Sequence, residues 1–121
     1  MIVSRYAGLL ALLYLVLTAQ VIRFRRDHKV ILGTGGHNEL ERRRSAHSNF
    51  AEYVPLSLFL FFLLEPRICG CAAHALCASL TFGRMAHAWG ITKKVLRFRL
   101  IGTILTLLPL GIAALMLLFG S

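Results

Sequence analysis

Two pairs of residues in this chain are of the types that do chemistry, and each pair is spaced by about one helical turn. Asn49 and Glu52 form the first, Arg84 and His87 the second. Residues three or four apart share a helix face. Positions 42, 45, 49, 52 and 56 therefore make one stripe, reading Arg, Ser, Asn, Glu, Leu. Arginine grips carboxylates bidentately, and a glutamate holds an ammonium group. A ligand bearing both carboxylates and an amine would match such a set. Arg25 and Arg26, and further on Arg97 and Arg99, bring more guanidinium groups into the polar segments that flank these pairs.

The elements that must position these residues are apolar. Of 121 residues, 57% are hydrophobic and only 16% charged, with a mean hydropathy of +0.69. Soluble domains carry about 25% charge. The net charge is nevertheless +9. Disorder requires low hydrophobicity and is excluded. Three cysteines do not make a disulfide scaffold. The charge alone would suit nucleic acid, but the apolar mass does not, so no nucleic-acid partner is expected. An all-α integral membrane protein remains, its charges gathered in loops and helix ends.

Apolar runs of about 20 residues, enough to span the hydrocarbon core, predict four transmembrane helices at about 2–22, 45–64, 68–90 and 100–119, in one membrane domain covering residues 1–121. The first is not a signal peptide, because its basic cluster Arg23, Arg25, Arg26 follows the apolar run instead of preceding it. Lys and Arg concentrate in the segments 23–44 and 91–99, while only Arg5 and Arg67 lie on the other side. Positive charge marks the cytoplasmic side. Both termini are thus expected outside and both basic loops inside, where they also meet anionic lipid head groups.

Ionisable groups inside a membrane cost about 2.5–3.5 kcal/mol each on insertion scales and mark functional sites by default. At 1.5 Å per residue, Glu52 lies about 10 Å in from Ser45 and Arg84 about 9 Å in from Gly90. That matching depth predicts a Glu52–Arg84 pair across an antiparallel hairpin. The pair reads equally as a structural clamp.

The second helix is recognisable. Glu41-Arg42, then Ala46-His47-Ser48-Asn49-Phe50-Ala51-Glu52-Tyr53-Val54-Pro55, resembles the signature of the MAPEG family, the membrane-associated proteins in eicosanoid and glutathione metabolism, and most closely its small bacterial members. The run Val21 to Arg26 with the loop His28 to Gly36 is similar to that family's first helix end. Gly83-Arg84 with His87-Ala88-Trp89-Gly90 resembles its third helix, and Arg97-Phe98-Arg99-Leu100-Ile101-Gly102 the start of its fourth.

The resemblance implies a four-helix bundle in the bacterial inner membrane that assembles as a homotrimer. It also implies glutathione, as cosubstrate, bound between neighbouring subunits near the cytoplasmic side. Arg26 or Arg25 would hold a glutathione carboxylate. Asn49 and Glu52 would bind its polar backbone with Tyr53 beside them, and His87 would line the site, with Arg84 in the same cluster. Arg99, or else Arg97, would stabilise the thiolate, which is the actual nucleophile. The implied activity is a glutathione transferase or peroxidase acting on lipophilic electrophiles. Two positions depart from the pattern: Ser45 stands where the family usually has arginine, and Ile91 where members active on lipids often have tyrosine. A non-catalytic protein that keeps the fold is one rival reading. A small multidrug-type transporter is the other, although the first helix holds no acidic residue.

The remaining signals are weaker. Gly33-Thr34-Gly35-Gly36 lacks the ending of a phosphate loop and reads as a turn. Cys71, His74 and Cys77 share a helical stripe, but closed zinc sites use four ligands, and small residues here serve helix packing. No metal site is assigned. His47 and His87 lie at one end without spacing that forces a haem pair, and Pro109 is expected to kink the fourth helix.

Overall fold

The computed structural model describes residues 1–120 and is all-α. Its four long helices are α1 (Ile2–His28), α2 (Asn38–Leu64), α3 (Gly70–Lys93) and α4 (Leu96–Phe119), with a single 3-10 turn at Glu65–Arg67 between α2 and α3. The helices outrun the predicted spans. α1 continues through its basic end to His28, α2 begins at Asn38, and α3 and α4 are parted only by Lys94 and Val95. Hydropathy measures solubility in lipid, whereas helix formation continues into water wherever good formers follow. Glu39, Leu40, Glu41 and the arginines 42–44 are such formers, with the acids in the first turn where they complement the helix dipole.

Each helix buries a narrow seam. In α1 it is Val3, Leu10, Leu17 and Phe24, one residue every seven. In α2 it includes Phe50, Val54, Ser57, Phe61 and Leu64, and in α4 Gly102, Thr106, Pro109 and Ala113. These steps of three and four keep one face toward a near-antiparallel neighbour. Pro109 lies in that seam, and α4 remains one helix through it. Only α1 and α4 are apolar enough throughout to count as membrane spans by composition. α2 and α3 carry the polar groups.

The α3–α4 interface is the most extensive in the molecule and is made by glycine. A Cβ on Gly83 would lie 2.9 Å from the Leu105 Cβ and 3.0 Å from the Gly102 carbonyl. One on Gly102 would collide with the backbone of His87, and one on Gly90 with that of Arg99. Small residues let membrane helices approach backbone to backbone, and here they fix the height of His87 and Arg99. Ser79 adds a hydroxyl donation to the Leu105 carbonyl at 2.8 Å.

α1 and α2 are joined by polar contacts at their basic ends. Arg43 donates from Nε to Glu39 at 3.0 Å and from Nη1 to the Gln20 carbonyl at 3.1 Å, and its guanidinium covers the Phe24 ring. His47 stacks on Tyr14 and shares a 3.0 Å hydrogen bond with Thr18. At the opposite end, the Glu65 carboxylate accepts from the Ile2 amide at 2.6 Å, satisfying a free N–H at the start of α1. The loop between α1 and α2 turns through Gly33, Gly35 and Gly36, all with φ between 58° and 81°, a region glycine enters without penalty.

Candidate functional site

A polar cleft of about 230 Å³ opens between α2, the end of α3 and the start of α4. Its lining comprises Ser45, Ser48, Asn49 and Glu52 from α2, His87 and Ile91 from α3, and Arg99 from α4. Four residues singled out in the sequence, Asn49, Glu52, His87 and Arg99, thus meet around one space. So do Ser45 and Ile91. The chemistry available is an amide and two hydroxyls for a polar backbone, a carboxylate for an ammonium group, and a guanidinium for an anion.

Arg84 stands behind this lining. It is only 2% exposed. Its Nε donates to Thr106 Oγ1 at 2.9 Å, and its Nη1 donates to Asn49 Oδ1. Thr106 passes its own proton to the Gly102 carbonyl at 2.8 Å. The expected Glu52–Arg84 pair is not formed. Glu52 is exposed and has no ion-pair partner among the described residues. Depth is shared by the two side chains, but direction is not. Three residues along a helix turn by about 300°, roughly 60° short of a full circle, and it is Asn49, not Glu52, that reaches Arg84. Arg84 therefore orients the cleft's amide from within the bundle.

Other expected site residues lie elsewhere in the single chain. Arg25 reaches back toward the carbonyls of Val30 and Ile31, each at 3.5 Å. Arg26 is exposed beside Asp27, at 3.5 Å. Tyr53 is half-buried on α2 and Arg97 exposed at the start of α4, and neither lines the cleft. Ser48 and Thr106 are additions that the sequence did not single out. Ser48 neighbours Asn49 on the stripe's edge, and Thr106 is four residues past Gly102, a small-residue spacing that marks helix contact.

The remaining polar candidates have other duties. Cys69 caps α3, its Sγ accepting from the Ala72 amide at 3.4 Å. His74 shares a hydrogen bond with the Tyr6 hydroxyl at 3.1 Å, Cys71 is exposed and Cys77 buried. Among the described residues, no three His, Cys, Asp or Glu side chains gather as metal ligands would. His47 turns to α1 while His87 faces the cleft, so the two do not face a common space.

Glu39 is the one ionisable group outside the spans with a displaced titration. The hydrogen bond from Arg42, joined by that from Arg43, holds its carboxyl below the usual value of 4.5 against the opposing effect of burial.

The model of the MAPEG family matches residues 3–119. The inner membrane protein YecN of Escherichia coli (strain K12) is 31% identical over 107 residues, covering 82% of this chain and 76% of the relative. The protein of the same name from Escherichia coli O6:H1 (strain CFT073) matches to the same extent. No solved structure matches the chain. A family model that spans all four helices, and relatives aligned over most of both chains, lead to one conclusion: the chain belongs to the MAPEG family.

Proposed function

We propose that this protein is a glutathione-dependent transferase or peroxidase of the inner membrane, joining a glutathione thiolate to a lipophilic electrophile or using it to reduce a lipid hydroperoxide. The observation that carries this reading is the meeting of Asn49, Glu52, His87 and Arg99 around one polar cleft. Asn49 and Glu52 bind the peptide part of glutathione. Arg99 favours the thiolate over the thiol, since a nearby cation lowers a thiol's pKa. The bilayer delivers the apolar substrate laterally, and the cytoplasm, on the side of the basic loops, delivers glutathione.

The active form is a homotrimer with the cleft closed by a neighbour. Glu52 is exposed and has no ion-pair partner among the described residues, a costly state for a carboxylate within a bilayer. A second subunit covering that face, and bringing Arg25 or Arg26 to it, removes the difficulty. Ser45 favours a second reading, a binding protein without turnover, because it leaves a hydroxyl where the family usually has a guanidinium.

The test is calorimetric titration of glutathione into the detergent-purified protein, beside Arg99→Ala and Glu52→Gln, with the thiolate absorbance of bound glutathione as a second readout. Saturable binding weakened in both variants, with thiolate absorbance lost in Arg99→Ala, is the expected result. A folded protein that binds nothing at millimolar glutathione overturns the reading.

A further inference from the structure

The end of the bundle away from the basic loops holds a carboxylate that the cleft does not use. Glu65 follows α2 and opens the 3-10 turn that leads to α3, beside the first turn of α1. Its Oε1 accepts from the Ile2 amide at 2.6 Å. Its Oε2 is buried and has no hydrogen-bond partner among the described residues. No cation among those residues forms an ion pair with it, the side chains of Arg5 and Arg67 and the Met1 ammonium included. A carboxylate has about four acceptor positions, and here a single amide N–H is set against a full negative charge. Capping α1 accounts for Oε1 and leaves most of that charge unanswered. Buried charge is costly unless it is paired.

The surroundings say what kind of cation would answer it. Glu65 lines a cavity of about 460 Å³ whose other walls are Met1, Phe62, Leu63 and Pro66. All four of these are exposed and apolar, a surface suited to hydrocarbon and unsuited to a hydrated metal ion. Arg67, two residues further along, is also exposed and has no ion-pair partner among the described residues. A carboxylate, a guanidinium and an apolar wall together complement a molecule that carries an ammonium group, a phosphate and an acyl chain. The place is also right, because the apolar run of α2 gives way here to the polar turn Glu65-Pro66-Arg67, where a helix end meets lipid head groups. A primary ammonium suits the carboxylate better than a quaternary one, since only N–H groups donate charge-assisted hydrogen bonds.

We propose that this cavity binds the head group of an aminophospholipid, with Glu65 holding the primary ammonium, Arg67 the phosphate, and Phe62 and Leu63 supporting an acyl chain. The site lies at the opposite end of the bundle from the cleft and does not depend on what the cleft binds.

Native mass spectrometry of the detergent-purified protein reads lipid binding directly. The probes are dioleoyl phosphatidylethanolamine, phosphatidylcholine and phosphatidylglycerol, added to the wild-type protein, Glu65→Gln and Arg67→Gln. Glutamine keeps an oxygen for the Ile2 amide, so α1 stays fastened, and the comparison of head groups in the wild type needs no substitution at all. The wild type should prefer phosphatidylethanolamine over both other lipids by about tenfold or more, the scale of a charge-assisted hydrogen bond. Glu65→Gln should abolish that preference, and Arg67→Gln should weaken all three lipids severalfold. Equal binding of the three lipids by the wild type identifies ordinary boundary lipid and overturns the site. A preference that survives in Glu65→Gln overturns the role of Glu65, and unchanged binding in Arg67→Gln overturns the placement of the phosphate. A preference for phosphatidylglycerol that depends on Arg67 alone assigns this end to an anionic head group and overturns the proposal.

Discussion

Arg84 on α3 donates its Nη1–H to the Oδ1 of Asn49 on α2, across the interior of the bundle. A charged donor buried at 2% exposure can stay there because Thr106 of α4 takes a second N–H. One guanidinium thereby ties three helices together and sets the direction of the amide that lines the cleft.

Removing that guanidinium strands two polar groups. Hydrogen bonds to charged groups contribute about 1.5–3 kcal/mol, so Arg84→Met should lower stability in detergent by about that amount. Asn49→Ala should then cost less in the Arg84→Met background than in the wild type. A thermal double-mutant cycle measures the difference, and strict additivity would show that the two side chains do not interact.

The glycine seam predicts a sharp contrast among similar substitutions. Gly90→Ala places a methyl group against the Arg99 and Phe98 backbone, which has no freedom to retreat. A loss of about 1–3 kcal/mol is expected from overpacking, together with weaker glutathione binding as Arg99 is pushed away. Gly8→Ala meets nothing within 4 Å and should be neutral or stabilising by up to about 1 kcal/mol. Equal melting temperatures for the two variants would refute the close approach.

Ser45 lines the cleft, so Ser45→Arg adds a guanidinium to its wall. Glutathione affinity should rise, by about tenfold if the new group forms a charge-assisted hydrogen bond. Unchanged affinity by calorimetry would move the ligand away from α2.

Glu39 gives the protein an acid-sensitive fastening. Because its native pKa is lowered by Arg42 and Arg43, its contribution to stability is fully present above the ordinary value of 4.5. That contribution fades as pH falls through the lowered native value. Glu39→Gln should therefore melt below the wild type at neutral pH, and the gap should close in acid. A gap that persists at low pH would mean that the pairing is not electrostatic.

The sequence makes the four helices legible because long apolar runs have few other uses. Helix ends are less legible, since α2 starts at Asn38 among charged residues that hydropathy assigns to a loop. Asn49, Glu52, His87 and Arg99 are readable as a group because helical spacing and depth bring them to one level. The partner of Arg84 is not readable from depth, which leaves rotation about the helix axis open. Thr106 completes that network from α4, where nothing but its spacing from Gly102 sets it apart from other residues of an apolar helix. Arg25 and Arg26 lie in the last turn of α1, beyond the apolar run, and the local pattern does not encode where that turn sits relative to the cleft.

The seam of Gly83, Gly90 and Gly102 also bears on how the chain enters the bilayer during synthesis. α3 does not meet the apolarity of a membrane span by itself, whereas α4 does. With only Lys94 and Val95 between them, the two helices emerge from the ribosome as one hairpin. α4 supplies the partitioning energy, and the glycine contacts let α3 shelter Arg84 and His87 against it. A nascent chain halted after Lys93 should leave α3 accessible to water-soluble labelling reagents, and extension through Phe119 should draw both helices in together.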